Sequence, residues 1–208
     1  MEDILEVYKR PYGPTHPQVC MDEISKQLVS ETRQPLPVQP GQPQRYDYEY
    51  RREGVCNVFI FLEPLRGQRH LKVTKRRTRQ DWAWAMKELV DVYYPDAKQI
   101  TVVLDNLNTH NGASLYETFE PAEARRILKR LEFHYTPKHG SWLNMAEIEL
   151  SVFARQCLNR RIPDQSTLQR EVAALEAERN RSASTVDWRF TTADARIKLK
   201  KLYPVIQP

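Results

Sequence analysis

Gln99-Ile-Thr-Val-Val-Leu-Asp-Asn106 is a nearly unbroken apolar run that stops at an acid and an amide. That is the pattern of a central strand buried on both faces. Such a strand needs neighbours on each side and helices above and below, so this stretch points to an α/β sheet. It also leaves Asp105 at the strand's C-terminal end.

Moving outward, Thr78 reads as an N-cap with Asp81 three residues on, opening a helix to about Tyr94. Its apolar residues Trp82, Ala85, Met86, Leu89, Val90 and Tyr93 recur at three and four, and Pro95 stops it. Before it, residues 55–64 and 69–76 bracket Leu65-Arg66-Gly67-Gln68 and read as a β-hairpin. Residues 25–54 hold Pro35, Pro37, Pro40 and Pro43 and read as an irregular loop, while residues 19–24, VCMDEI, read as a short buried strand with Asp22 in its middle. On the other side, helical material from about Ser114 to Leu131 breaks at Pro121, and residues 132–137 alternate like a last strand. Ser141 is expected to cap a long helix from Trp142 to about Asn159, with Trp142 read as core ahead of the alternative that it stacks on a flipped base, and a further helix spans about Ser166 to Arg179. The order mixes an antiparallel hairpin with βαβ crossovers around one sheet.

A chain of 208 residues suggests one domain, and Leu, Ile, Val and Phe supply about a quarter of it, enough to fold. The longest apolar run, Val58 to Leu62, is far too short to span a bilayer. The N-terminus opens with two acids and has no apolar core of a signal peptide, so a cytoplasmic location is expected. Cys20, Cys56 and Cys157 are widely spaced and read as buried thiols rather than a disulfide framework or zinc site.

The net charge of +5 is mild, but its distribution is uneven. Arg66, Arg69, Lys72, Lys75, Arg76, Arg77 and Arg79 form a block without an acid, and Arg196, Lys198, Lys200 and Lys201 a second cluster. Such blocks suit a phosphate backbone; the competing reading is a solvated strand edge kept basic against aggregation.

Asp22, Asp105 and Glu147 are far apart in sequence, yet if the first and fourth strands are neighbours, both aspartates share one end of the sheet. A helix packed over that end can deliver Glu147 to it. Three carboxylates together repel unless a cation neutralises them. Magnesium suits such a set, and two ions can activate an attacking oxygen and stabilise a leaving one in phosphoryl displacement.

The segments VCMDE, VVLDNLNTHN and HYTPKHGSWLNMAEIEL resemble the three catalytic blocks of DDE transposases of the mariner superfamily, specifically the bacterial insertion-sequence group numbered 630. The resemblance runs from about Val19 to Tyr203 and implies a ribonuclease-H-like α/β fold with a mixed five-stranded sheet flanked by helices. It implies that Asp22, Asp105 and Glu147 bind two Mg²⁺ or Mn²⁺ ions for cleavage of DNA at transposon ends and strand transfer into a target. Glu149 is a rival for the third place; Glu147 is preferred because it fills the acid position of the Trp-Leu-Asn-x-x-Glu block and shares a helix face with Asn144. Asn106, His110 and Asn144 are expected as supporting residues, with His110 ordering its turn rather than ligating. Arg69, Lys72, Lys75, Arg76, Arg77, Lys138 and His139 are expected to contact DNA. The expected organisation is an N-terminal arm at 1–18 that docks on a partner subunit, a catalytic domain at 19–162, and a C-terminal helix and basic tail at 163–208. Partners implied are double-stranded DNA and a second copy in a homodimer, with no membrane, in a bacterial, nucleoid-associated setting. Only about 18 residues precede the first strand, so the helix-turn-helix domain that recognises transposon ends is expected to be supplied elsewhere. The spacing from Asp105 to Glu147 exceeds the superfamily's commonest one, with the surplus around Phe119-Glu120-Pro121-Ala122-Glu123. Two other readings stay open: a ribonuclease-H-like nuclease without transfer, and a non-catalytic DNA-binding remnant of a mobile element.

Overall fold

The structure is a computed structural model that describes residues 1–203. A single five-stranded sheet has the order β3-β2-β1-β4-β5. Its strands are β1 (Gln18–Glu31), β2 (Tyr50–Glu63), β3 (Gln68–Thr74), β4 (Ile100–Leu104) and β5 (Leu131–Tyr135). β1, β2 and β3 are antiparallel, whereas β4 runs parallel to both β1 and β5. The mixed α/β sheet expected from the sequence is therefore present, with the first and fourth strands adjacent.

Two apolar layers cover the sheet. On one face, α2 (Arg79–Glu88), α3 (Gly112–Thr118) and α4 (Pro121–Leu128) bury Trp82, Met86, Leu115 and Ile127 against Val19, Met21, Val102 and Leu104. On the other, α1 (Glu2–Tyr8), α5 (Ala146–Phe153), α6 (Gln165–Ser182) and α7 (Thr192–Lys198) join Cys20, Ile60 and Val103. All five residues of β4 are buried, because Val103 faces one layer while Val102 and Leu104 face the other. Thr78 caps α2 in a full capping box with Asp81, and Pro121 opens α4 at a position where its missing N–H costs nothing. The three cysteines are buried free thiols.

Several elements differ from the sequence reading. β1 and β2 extend well past the expected strands and form a long two-stranded arm with a bulge at Leu28/Val29 opposite Gly54, whose φ of +105° suits only glycine. The proline-rich tip is not wholly irregular, since Leu36 pairs with Arg45 and Gln39 with Gln42. The expected long helix from Trp142 is interrupted: Ser141–Leu143 make one 3₁₀ turn, and α5 starts only at Ala146. Asn144 causes the break, donating to Met21 O at 2.8 Å while its Oδ1 accepts from Ala146 N at 3.1 Å, which a continuous helix would not permit. Trp142, expected in the core, is 46% exposed and packs at the surface against Trp188 and Phe190.

Residues 1–18, read as an arm, hold α1, whose Ile4, Leu5 and Val7 are buried in this chain's own core. Tyr8 Oη donates to Leu143 O at 2.5 Å, tying α1 to the turn before α5. Of the expected C-terminal segment, residues 204–208 lie outside the described residues. Among the described residues, no helix is long and apolar enough to cross a membrane.

Candidate active site at the acid end of the sheet

The parallel register pairs Cys20 with Val103, so its continuation by two residues aligns Asp22 with Asp105. Asp22 lies within β1, Asp105 follows the last residue of β4, and Glu147 is in the first turn of α5. Asn144 connects the pieces, because its Nδ2 reaches Asp22 Oδ2 at 3.3 Å while its backbone carbonyl accepts from Glu147 N at 3.1 Å. Burial pushes the Asp22 carboxyl up to about 7, and the charges of Glu147, Glu23 and Asp105 act in the same direction, against one backbone hydrogen bond from Glu23. The three sequence-predicted acids therefore share one electrostatic neighbourhood.

Beside Asp105 a cavity of about 450 Å³ is lined by Asn106, Thr136, Lys138, His139 and Ser141, among others. Asn106, Lys138 and His139 are exposed, the last with a left-handed φ of 63°. His110 is 1% exposed and stacks on Trp82 at 5.8 Å. Its Nδ1 lies 2.5 Å from Asp105 Oδ1, and its Nε2 lies 3.3 Å from Glu23 Oε2, where the geometry falls short of a hydrogen bond. Burial opposes protonation of this imidazole, but the contacts with Asp105 and Glu23 outweigh it and raise it to about 9. Glu23 was not singled out in the sequence; the only signal was a second acid following Asp22 in a strand read as buried.

The basic block reads differently in three dimensions. Arg69 is fully buried, with Nη2 3.1 Å from Glu149 Oε2, and has no surface to offer DNA. Arg179 holds the same carboxylate through Nε at 2.7 Å. Burial alone would raise Glu149, but the two guanidinium groups more than offset this and keep its carboxyl below the usual range. Glu149 is thus a structural acid, whereas Glu147 is partly exposed at the acid end. Acids from elsewhere in the fold also face Arg66 (Glu63), Lys72 (Glu88), Arg77 (Glu23) and Arg79 (Glu117). Only Lys75 and Arg76 of the block are without a carboxylate among the described residues, and both are exposed.

The acids offer hard oxygen donors and an excess of negative charge, as a divalent cation requires. Among the described residues, no three Asp, Glu, His or Cys side chains converge into a ready-made cage.

A mixed five-stranded sheet of this order and these strand directions, flanked by helices on both faces, is the ribonuclease-H-like fold. The same fold is found in the crystal structure of the Mos1 mariner paired end complex with Mn, with a TM-score of 0.56 and 17% identity over 87% of this chain and 55% of that one. Residues 17–169 match the model of the DDE superfamily endonuclease family, and the chain belongs to that family. Weaker likenesses include the Mos1 Strand Transfer Complex (TM-score 0.35, 14% identity, 89% of this chain and 59% of that one). Another is the simian T-cell lymphotropic virus intasome with PP2A regulatory subunit B56 gamma (0.41, 10%, 97% and 61%). The chain spans between 55% and 61% of the length of these three structures. No curated protein matches it significantly.

Proposed function

We propose that this chain is the catalytic domain of a transposase of the insertion-sequence group numbered 630, cleaving DNA at transposon ends and transferring the cut strand into a target. The observation that carries the reading is the set of three acids from β1, the end of β4 and α5, with Asp22 driven to about 7 by burial and by its acidic neighbours. Asp22, Asp105 and Glu147 would hold Mg²⁺ or Mn²⁺. When bound, two such ions make an oxygen nucleophilic and stabilise the leaving oxygen of an in-line displacement. Asn144 orients Asp22, Asn106 stands beside Asp105, and Lys138 and His139 line the cavity where a phosphate can approach. Lys75 and Arg76 supply cations free to follow a DNA backbone. A second copy, bringing a second DNA end, completes the proposed assembly.

The test is cleavage of a labelled duplex carrying a candidate transposon end, in Mn²⁺ or in EDTA. Nicking in Mn²⁺ that is absent in EDTA is expected, followed by joining of the cut 3′ end to a second duplex. Nicking without joining would favour the nuclease reading. Duplex binding without any nicking would favour the non-catalytic remnant.

A further inference from the structure

We propose that Glu23 is a positioning residue for Asp105, acting through His110 to fix the Asp105 carboxylate for a divalent cation. The inference rests on the functional reading above. Glu23 follows Asp22 on β1, so the two side chains leave opposite faces of the pleat. Met21 faces the α2 layer, and Glu23 follows its parity, while Asp22 follows Cys20 towards α5. Glu23 is therefore turned away from the face that Asp22 shares with Asn144 and α5.

Its side chain is nevertheless 3% exposed, where an apolar residue would extend the core at no electrostatic cost. The charged groups facing it are His110, at 3.3 Å, and the exposed Arg77, at 3.6 Å. Nδ1 of His110 is hydrogen-bonded to Asp105, Nε2 faces the Glu23 carboxylate at 3.3 Å as a charge contact without hydrogen-bond geometry, and the ring lies against Trp82, so the imidazole is held on three sides. It is not placed as a ligand itself, since Nδ1 is taken by Asp105 and Nε2 is buried beside Glu23. What it does instead is hold Oδ1 of Asp105, whose Oδ2 makes no hydrogen bond among the described residues and whose side chain is 31% exposed beside the cavity. A carboxylate that orients a histidine, which in turn orients a ligand, is how outer groups set a metal ligand's geometry, and losing one commonly costs ten- to a hundredfold in metal affinity.

The experiment measures Mn²⁺ affinity from the electron paramagnetic resonance signal of free Mn²⁺, with a short duplex bound, alongside the thermal midpoint. Glu23→Gln should weaken Mn²⁺ binding about tenfold in folded protein, raise the Mn²⁺ concentration needed for half-maximal nicking, and leave nicking at saturating Mn²⁺ nearly unchanged. In a His110→Asn background the same change should add less than about twofold, because the link is already cut. Wild-type Mn²⁺ affinity in Glu23→Gln, or an undiminished tenfold loss in the His110→Asn background, overturns the proposal. If Glu23→Gln does not fold, Glu23→Asp keeps the charge and shortens its reach, and unchanged Mn²⁺ affinity there overturns it equally. Asp105→Asn separates the two levels: if it loses Mn²⁺ while Glu23→Gln keeps it, only this inference fails; if it too keeps wild-type affinity, the functional reading fails as well.

Discussion

Glu147 and Glu149 stand two residues apart on α5, and the fold treats them in opposite ways. Glu149 is 1% exposed and is clasped by Arg69 and Arg179, which join the hairpin turn, α5 and the end of α6 into one knot. Glu147 points to the end of the sheet where Asp22 and Asp105 lie, and among the described residues no lysine or arginine pairs with any of these three. A buried acid matched by arginines holds a structure together. A cluster of acids with no arginine or lysine, and with only His110 on Asp105, carries an excess of negative charge that costs stability in the free protein and is relieved when a divalent cation arrives. The contrast lies in the partners rather than in the acids.

Breaking the acid end should have the largest effect. Glu147→Gln or Asp105→Asn should lower Mn²⁺-dependent nicking by about a thousandfold, the loss of several kcal/mol of transition-state stabilisation. A labelled-duplex gel reads it; an activity within a few fold of wild type would erase the distinction between the two glutamates. Next comes the knot. Glu149→Gln leaves two guanidinium groups around an uncharged amide and should destabilise the fold by about 3 to 5 kcal/mol in urea unfolding.

A smaller effect is the pH dependence of the metal-free protein. Asp22 binds its proton more tightly folded, at about 7, than its ordinary value of 3.8, so the folded state holds more protons than the unfolded one between those limits. Stability in EDTA should therefore be fullest below about pH 4 as far as Asp22 is concerned, and fall as pH rises towards 7. Asp22→Asn should flatten that slope and make the protein more stable than wild type at pH 8. The smallest effect concerns DNA. Replacing Lys75 and Arg76 together by alanine should reduce the salt slope of duplex binding by about 2, whereas Lys72→Ala, whose partner is Glu88, should hardly change it.

Much of this was readable in the residues. The apolar run at 100–104, the capping box at Thr78 and the break at Pro121 each state their structure locally, and the adjacency of β1 and β4, which the sequence left as a condition, is present in the sheet. The three acids were singled out by the strand and helix positions that their neighbours define, and the fold makes them electrostatic neighbours. What escaped were pairings between distant segments. Nothing around Arg69 announces Glu149, 80 residues away, so a run without acids in sequence looked like a phosphate-binding strip when most of it is neutralised in the fold. Glu23 escaped for the same reason, since its partner His110 lies on the loop after β4. The interruption before α5 was hidden because Ser141 is a good cap in isolation, while the competing contact of Asn144 with β1 is long-range.

Glu147, and not its neighbour Glu149, is the acid proposed for a metal-dependent nuclease centre. Cleavage of one labelled duplex in Mn²⁺ and in EDTA by the wild-type chain, Glu147→Gln and Glu149→Gln, each normalised to its folded fraction, tests it most directly. Mn²⁺-dependent nicking is expected from the wild type and Glu149→Gln, and none from Glu147→Gln. Equal nicking by Glu147→Gln, or loss confined to Glu149→Gln, would contradict it.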